Sequence, residues 1–208
     1  MKVGIVGAGK LGTALARRSV AKGHEVLLAT RPGTRDPGLV VEVMAPGSVA
    51  LPAQQWGTVD LAVLAVPFHV ALTVDLPLPR GTVVIDPTNH WEPVDGPAPD
   101  LGGRGTTEAI AAGHPGLLWV KSLNQLGYHD LDDLTDLAGL PMRYATDHDA
   151  ARDTVADYLS SLGLRPIHTG PLASGAAFEP GTAVFDATAT VGNSAPDTIA
   201  GAFASKTL

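Results

Sequence analysis

Val3-Gly4-Ile5-Val6-Gly7-Ala8-Gly9-Lys10-Leu11-Gly12 decides how the chain is read. A short apolar run passes into a glycine-punctuated turn. A helical stretch from Lys10 to Lys22 follows, with Gly12, Ala16 and Ser19 small enough for a close-packed face. Gly7, Gly9 and Gly12 carry the G-x-G-x-x-G spacing. Gly7 permits the tight turn out of a strand, Gly9 lets a backbone approach a pyrophosphate, and Gly12 lets the helix pack closely on the sheet. The opening N–H groups of such a helix lack internal partners, and its dipole favours an anion there. The stretch therefore predicts a strand, a turn and a helix that seat a dinucleotide, with Gly7, Ala8, Gly9, Lys10, Leu11 and Gly12 around the phosphates. The plainer alternative is an ordinary tight turn between strand and helix.

Working outward, Gly23 stops the helix and Glu25 to Ala29 form a second strand. An acidic residue at the end of that strand would hold a ribose 2′-hydroxyl. Thr30 and Arg31 stand there instead, with Arg35 four residues on. A carboxylate would repel a 2′-phosphate, whereas these residues can bind it with charge-assisted hydrogen bonds. NADP(H) is the expected dinucleotide; a solvated loop arginine is the alternative.

Asp36 to Met44 reads as a short helix or irregular connection, and Ser48 to Leu51 as a third strand. Val59 to Val66 is nearly continuously apolar, as a strand buried on both faces requires. The loop Val66-Pro67-Phe68-His69 then leaves the carboxyl end of a central strand, where open α/β sheets bind ligands. His69 reads as a helix-start histidine rather than an acid. Gly81 to Asp86 is the next strand, and Thr88 and Asn89 in its outgoing loop suit a carboxamide or ring carbonyl. Trp91 to Gly105 is a flap or a connector. Thr106 to Ala112 reads as a helix, and Leu117 to Ser122 as a buried strand running into Leu123-Asn124-Gln125.

After Gly139 the pattern changes. Met142 to Ala145 reads as a strand, and Asp147 or Asp149 as the cap of a helix carrying Ala151, Val155, Tyr158, Leu159 and Leu162. Arg165 to His168 is an edge strand because of Pro166. Leu172 to Val191 is expected to be helical despite Gly175, Pro180 and Gly181. Asn193 to Leu208 has no legible pattern. The recurring β-α rhythm predicts an α/β fold: a Rossmann-type doubly wound parallel sheet with a small C-terminal α/β extension. Residues 1–140 would be the NADP-binding domain and 141–208 a substrate subdomain packed against it.

The formal charge of −7 disfavours a nucleic-acid or anionic-membrane surface, and the absence of cysteine removes disulfides, thiolate metal sites and a cysteine nucleophile. The amino terminus does not read as a signal peptide, and a cytoplasmic location is expected. The seven histidines show no metal-ligand spacing, and no serine-hydrolase elbow or ATP-binding loop is present. No metal and no catalytic acid–base residue is expected; Lys121, the nearest candidate donor, lies within a strand.

The chain resembles the NADP oxidoreductases that use the deazaflavin coenzyme F420. The resemblance runs through Gly7 to Gly12, Gly23-His24-Glu25-Val26, Thr30-Arg31, Asp60 to Pro67 and Val120 to Asn124. Its most family-specific part is Gly163 to Leu172, followed by Glu179 and Thr182. It implies hydride transfer between NADP(H) and F420 or a flavin, with the rings carrying the chemistry and the protein supplying orientation. Thr88, Ser122, Leu123, Asn124, Gln125, Glu179 and Thr182 would then wall the acceptor slot. Leu123-Asn124-Gln125 departs from the His-containing segment of archaeal members. Relatives with Asn there resemble a broader group that includes the cytosolic domain of membrane ferric reductases. The alternatives are an NADPH-dependent reductase of a small carbonyl or imine metabolite and a non-enzymatic NADP-binding redox sensor. The only partner expected is the small-molecule redox substrate, with homodimerisation left open.

Overall fold

The computed structural model describes residues 1–132 and 137–185. Eight strands make one sheet: β1 (Lys2–Val6), β2 (Glu25–Ala29), β3 (Val49–Ala50), β4 (Leu61–Leu64), β5 (Val83–Asp86), β6 (Leu118–Ser122), β7 (Pro141–Ala145) and β8 (Arg165–His168). Their spatial order is β3-β2-β1-β4-β5-β6-β7-β8. The first six run parallel. The chain reverses between β6 and β7, which pair antiparallel through Lys121 with Ala145 and Ser122 with Tyr144. β8 then lies parallel to β7 as an edge strand. The segment after residue 140 thus continues the same sheet. This is the doubly wound order with its switch point between β1 and β4.

The helices are α1 (Lys10–Ala21), α2 (Pro37–Met44), α3 (Phe68–Ala71), α4 (Glu92–Asp95), α5 (Thr106–Ala111), α6 (Tyr128–Asp132) and α7 (Asp149–Ser161). Alternate strand residues face opposite sides of the sheet. Val26 and Leu28, Leu61 and Val63, and Val83 and Ile85 join one core with α1 and α7. Leu27 and Ala29, Ala62 and Leu64, and Val84 join the other, around Trp56, Phe68 and Trp119. Both faces being covered explains why the strands read as apolar runs. Gly4 has its reason here: a Cβ on it would lie 2.3 Å from the Trp56 ring. α1 is tied to α7 by a 2.9 Å hydrogen bond between Ser19 Oγ and the Tyr158 hydroxyl, and by the Arg18 guanidinium donating to the Leu162 carbonyl.

Two local expectations differ from the structure. Neither Asp147 nor Asp149 caps α7. His148 holds the cap position without a side-chain bond, because its N–H donates to Thr146 Oγ1 and the Asp147 carboxylate accepts from Leu172 N–H instead. Leu172 to Phe178 is a 3-10 segment rather than an α-helix. Gly175 in it presses on the stem of Lys121, where a Cβ would come within 2.8 Å, and Pro180 stops continuation. The rest of the predicted 172–191 helix beyond residue 185, and the tail 193–208, lie outside the described residues. No helix among those described is long and apolar enough to cross a membrane.

Candidate functional site

The loops after β1, β4, β5 and β6 all emerge at the carboxyl edge of the sheet, which gathers the predicted site residues in one region. Gly7 takes φ +108°, a left-handed conformation that disfavours any side chain; a Cβ there would also lie 2.3 Å from the Ala65 carbonyl oxygen. The β1 and β4 exits are thus in direct contact. Gly12 packs still closer, since its Cβ would fall 1.8 Å from the Gly7 carbonyl oxygen. Gly9 is different: nothing lies within 4 Å of the position its Cβ would take. It occupies the N-cap of α1, and no side chain caps that helix. The first turn of α1 therefore presents N–H groups to open space, an anion seat of the kind helix N-termini provide. Lys10 stands beside it, exposed, its ammonium 3.3 Å from the Tyr128 hydroxyl and 5.1 Å from that ring's centre.

At the end of β2, Thr30 is half-buried while Arg31 and Arg35 are exposed. A turn shapes this segment, with Thr34 Oγ1 donating to the Arg31 carbonyl at 2.6 Å. Asp36, next to Arg35 in the chain, caps α2 by accepting from Leu39 N–H at 3.1 Å. Pro67 caps α3, Phe68 is buried beneath that helix's start, and Val66 is partly exposed. His69 donates its backbone N–H to Asp95 Oδ1 (3.0 Å), and its ring Nδ1 lies 2.8 Å from the same oxygen. Trp91 N–H donates to Asp95 Oδ2 at 2.8 Å. Burial raises the Asp95 pKa, but these hydrogen bonds and the neighbouring imidazole outweigh it and hold the carboxyl below its ordinary value. The 91–105 segment is thereby fastened to α3.

Under the β5 and β6 exits lies a buried polar network. The Lys121 side chain is 1% exposed. Its ammonium donates to the Thr88 carbonyl and to Thr106 Oγ1 (2.9 Å), and lies 3.8 Å from both Asp86 Oδ2 and Glu179 Oε1. Glu179 Oε1 also accepts from Thr106 N–H (3.0 Å) and Thr106 Oγ1 (2.5 Å). Asp86 accepts from Thr107 Oγ1 and Thr88 N–H. A buried lysine between two carboxylates is held by charge compensation. This network ties the 86–89 loop, α5, β6 and the segment at Glu179 into one unit. Sequence reading missed Asp86, Thr106 and Asp95; the one available signal was a charge ending the apolar run of β5.

Asn89 and Asn124 clasp the two loops. Asn89 Nδ2 donates to the Asn124 carbonyl (2.8 Å), and Asn124 Nδ2 donates to Asn89 Oδ1 (3.0 Å) and the Phe178 carbonyl (2.7 Å). Leu123 takes φ +63°, a strained conformation for a leucine. Ser122 and Gln125 are turned inward, both donating to the Arg143 carbonyl on β7. Of the residues expected to wall an acceptor slot, Thr88 and Asn124 thus stand on adjacent loops with Asn89, while Ser122 and Gln125 are held to β7. Thr182 Oγ1 donates to the Glu179 carbonyl and accepts from Phe185 N–H, closing a turn. Among the described residues no group of three His, Asp or Glu side chains could hold a metal ion.

A glycine loop feeding an uncapped helix at the switch point of a doubly wound sheet defines a dinucleotide-binding protein of the Rossmann class. Residues 2–90 match the family described as NADP oxidoreductase, coenzyme F420-dependent, so the resemblance holds over the nucleotide-binding half. The chain is accordingly an NADP-dependent oxidoreductase with NADP(H) as its cofactor. It is similar to a solved hypothetical protein, SMa0349, from Sinorhizobium meliloti (28% identity, TM-score 0.73, covering 88% of this chain and 92% of that one). It is also similar to a candidate F420-dependent NADP reductase from Arthrobacter sp. FB24 (21%, 0.67, 85% and 88%). An imine reductase from Aspergillus terreus in complex with NADPH4 shares the fold at 15% identity and TM-score 0.62; the match covers 86% of this chain and 58% of that one. No curated protein matches.

Proposed function

We propose that the protein transfers a hydride between NADP(H) and a deazaflavin of the F420 type or a flavin. The open space at Gly9 and the uncapped start of α1 fit the pyrophosphate. Thr30, Arg31 and Arg35 fit a 2′-phosphate. The bound dinucleotide supplies the reducing equivalent; the chain's residues seat and orient it and keep water from the slot.

The observation that carries the acceptor assignment is the enclosure of Lys121 and Glu179 in one polar network. Lys121 lies between Asp86 and Glu179, and Glu179 accepts from Thr106. A carbonyl reductase must deliver a proton to the reacting oxygen. Ring-to-ring transfer leaves the protein only positioning work. The test is to follow NADPH absorbance with purified protein and oxidised F420, FMN, FAD, simple ketones and cyclic imines in turn. Consumption by a deazaflavin or flavin alone supports the proposal; consumption by ketones or imines alone refutes it.

A further inference from the structure

Among the described residues, four side-chain atoms are buried without a hydrogen-bond partner: Ser48 Oγ, His168 Nε2, Thr88 Oγ1 and Asn124 Oδ1. The last two stand on the adjacent exits of β5 and β6, the loops that Asn89 and Asn124 clasp together. Thr88 is 5% exposed and Asn124 3%. A buried polar atom left unpaired is costly, and the fold has made both positions hard to relieve.

The Asn124 amide cannot turn over. Its Nδ2 is spent on the Asn89 side-chain oxygen and the Phe178 carbonyl, and the reverse orientation would set oxygen against oxygen at Phe178. Its Oδ1 is thus a fixed acceptor. The strained φ of +63° at Leu123 is the local cost of placing Asn124 there. Thr88 is pinned by its backbone, its N–H donating to Asp86 Oδ1 and its carbonyl accepting from Lys121. Its hydroxyl is left as a free donor.

We propose that Asn124 Oδ1 and Thr88 Oγ1 together recognise a planar amide edge, an N–H beside a C=O. The N–H donates to Asn124 and the C=O accepts from Thr88. In the reaction proposed above two groups present that edge: the carboxamide of the nicotinamide and the imide of the flavin or deazaflavin. Asn89 and the Phe178 carbonyl act as positioning groups, because they hold the Asn124 amide in register. The inference rests on the acceptor slot proposed above and assigns its polar specificity.

The test works first on the wild-type protein. One arm compares binding of NADP⁺ with its 3-acetylpyridine analogue, which keeps the C=O and replaces the NH₂ by a methyl group. The other compares riboflavin with 3-methylriboflavin as acceptor. The expected result is a loss of about tenfold or more in one of the arms, which names the source of the edge. Equal behaviour in both arms overturns the proposal. Thr88→Val then checks the hydroxyl. It should leave the Tm of the free protein unchanged or higher, because an unpaired buried oxygen is removed, and should weaken the same ligand about tenfold. A lower Tm with unchanged binding would make the hydroxyl structural and overturn its assignment. Should the protein bind NADP⁺ and reduce only carbonyls, the ring-acceptor proposal fails while the NADP⁺ arm still decides this one.

Discussion

Replacing Gly9 by valine separates folding from binding at the nucleotide loop. The backbone of Gly9 has φ −79° and ψ −171°, an extended conformation that valine adopts readily. Nothing stands within 4 Å of its Cβ position. The fold should therefore lose only N-cap preference, about 1 kcal/mol or less. The pyrophosphate would lose its seat. Two charge-assisted N–H contacts at about 1.5 kcal/mol each amount to about 3 kcal/mol, on the order of a hundredfold in Kd. Gly12→Ala is the contrasting variant. Its Cβ would fall 1.8 Å from the Gly7 carbonyl oxygen, so helix and loop must separate. Overpacking there should cost about 1–3 kcal/mol and reduce both stability and affinity. Thermal melts and an NADPH fluorescence titration on wild type and both variants measure the two quantities. The reasoning is refuted if Gly9→Val binds NADPH within about threefold of wild type, or if it melts as early as Gly12→Ala.

Arg31→Ala should weaken NADP⁺ about tenfold and leave NAD⁺ nearly unchanged, since a charged hydrogen bond to the 2′-phosphate is lost; equal wild-type affinity for both dinucleotides in calorimetry would contradict it. Lys121→Met should cost about 3 kcal/mol or more in urea denaturation, because Asp86, fully buried, loses its cation; a loss under about 1 kcal/mol would show that the surrounding hydrogen bonds suffice. The Asp95 carboxyl has its folded pKa below the ordinary value, so its stabilisation is complete above the ordinary carboxylate range and is lost as pH falls through the lowered value. Asp95→Asn should therefore flatten the acid side of a Tm-against-pH profile, and an unchanged profile would mean that the contact to His69 and Trp91 adds nothing.

The nucleotide-binding half was legible because its signals are local. The glycine spacing at 7, 9 and 12, the apolar runs of β1, β2 and β4 and the missing acid after Ala29 each depend on neighbours in the chain. Backbone geometry at a turn and burial on both faces of a strand leave their mark directly in residue type. The same β-α repetition implies that the first six strands run parallel, while their spatial order comes from the structure. Tertiary structure alone decided what the polar residues do. In sequence Lys121 is a candidate donor or a structural lysine within a strand; the structure brings Asp86 and Glu179, far apart in the chain, within 3.8 Å of it. Leu172 to Phe178 has helical composition, yet a contact with the stem of that lysine sets its conformation through Gly175. Asn124 carries four hydrogen-bonding possibilities in sequence. Only the positions of Asn89 and the Phe178 carbonyl determine which oxygen remains unpaired. Pairing between distant charges and amides depends on where the sheet places its strand ends, and no periodicity in the chain encodes that.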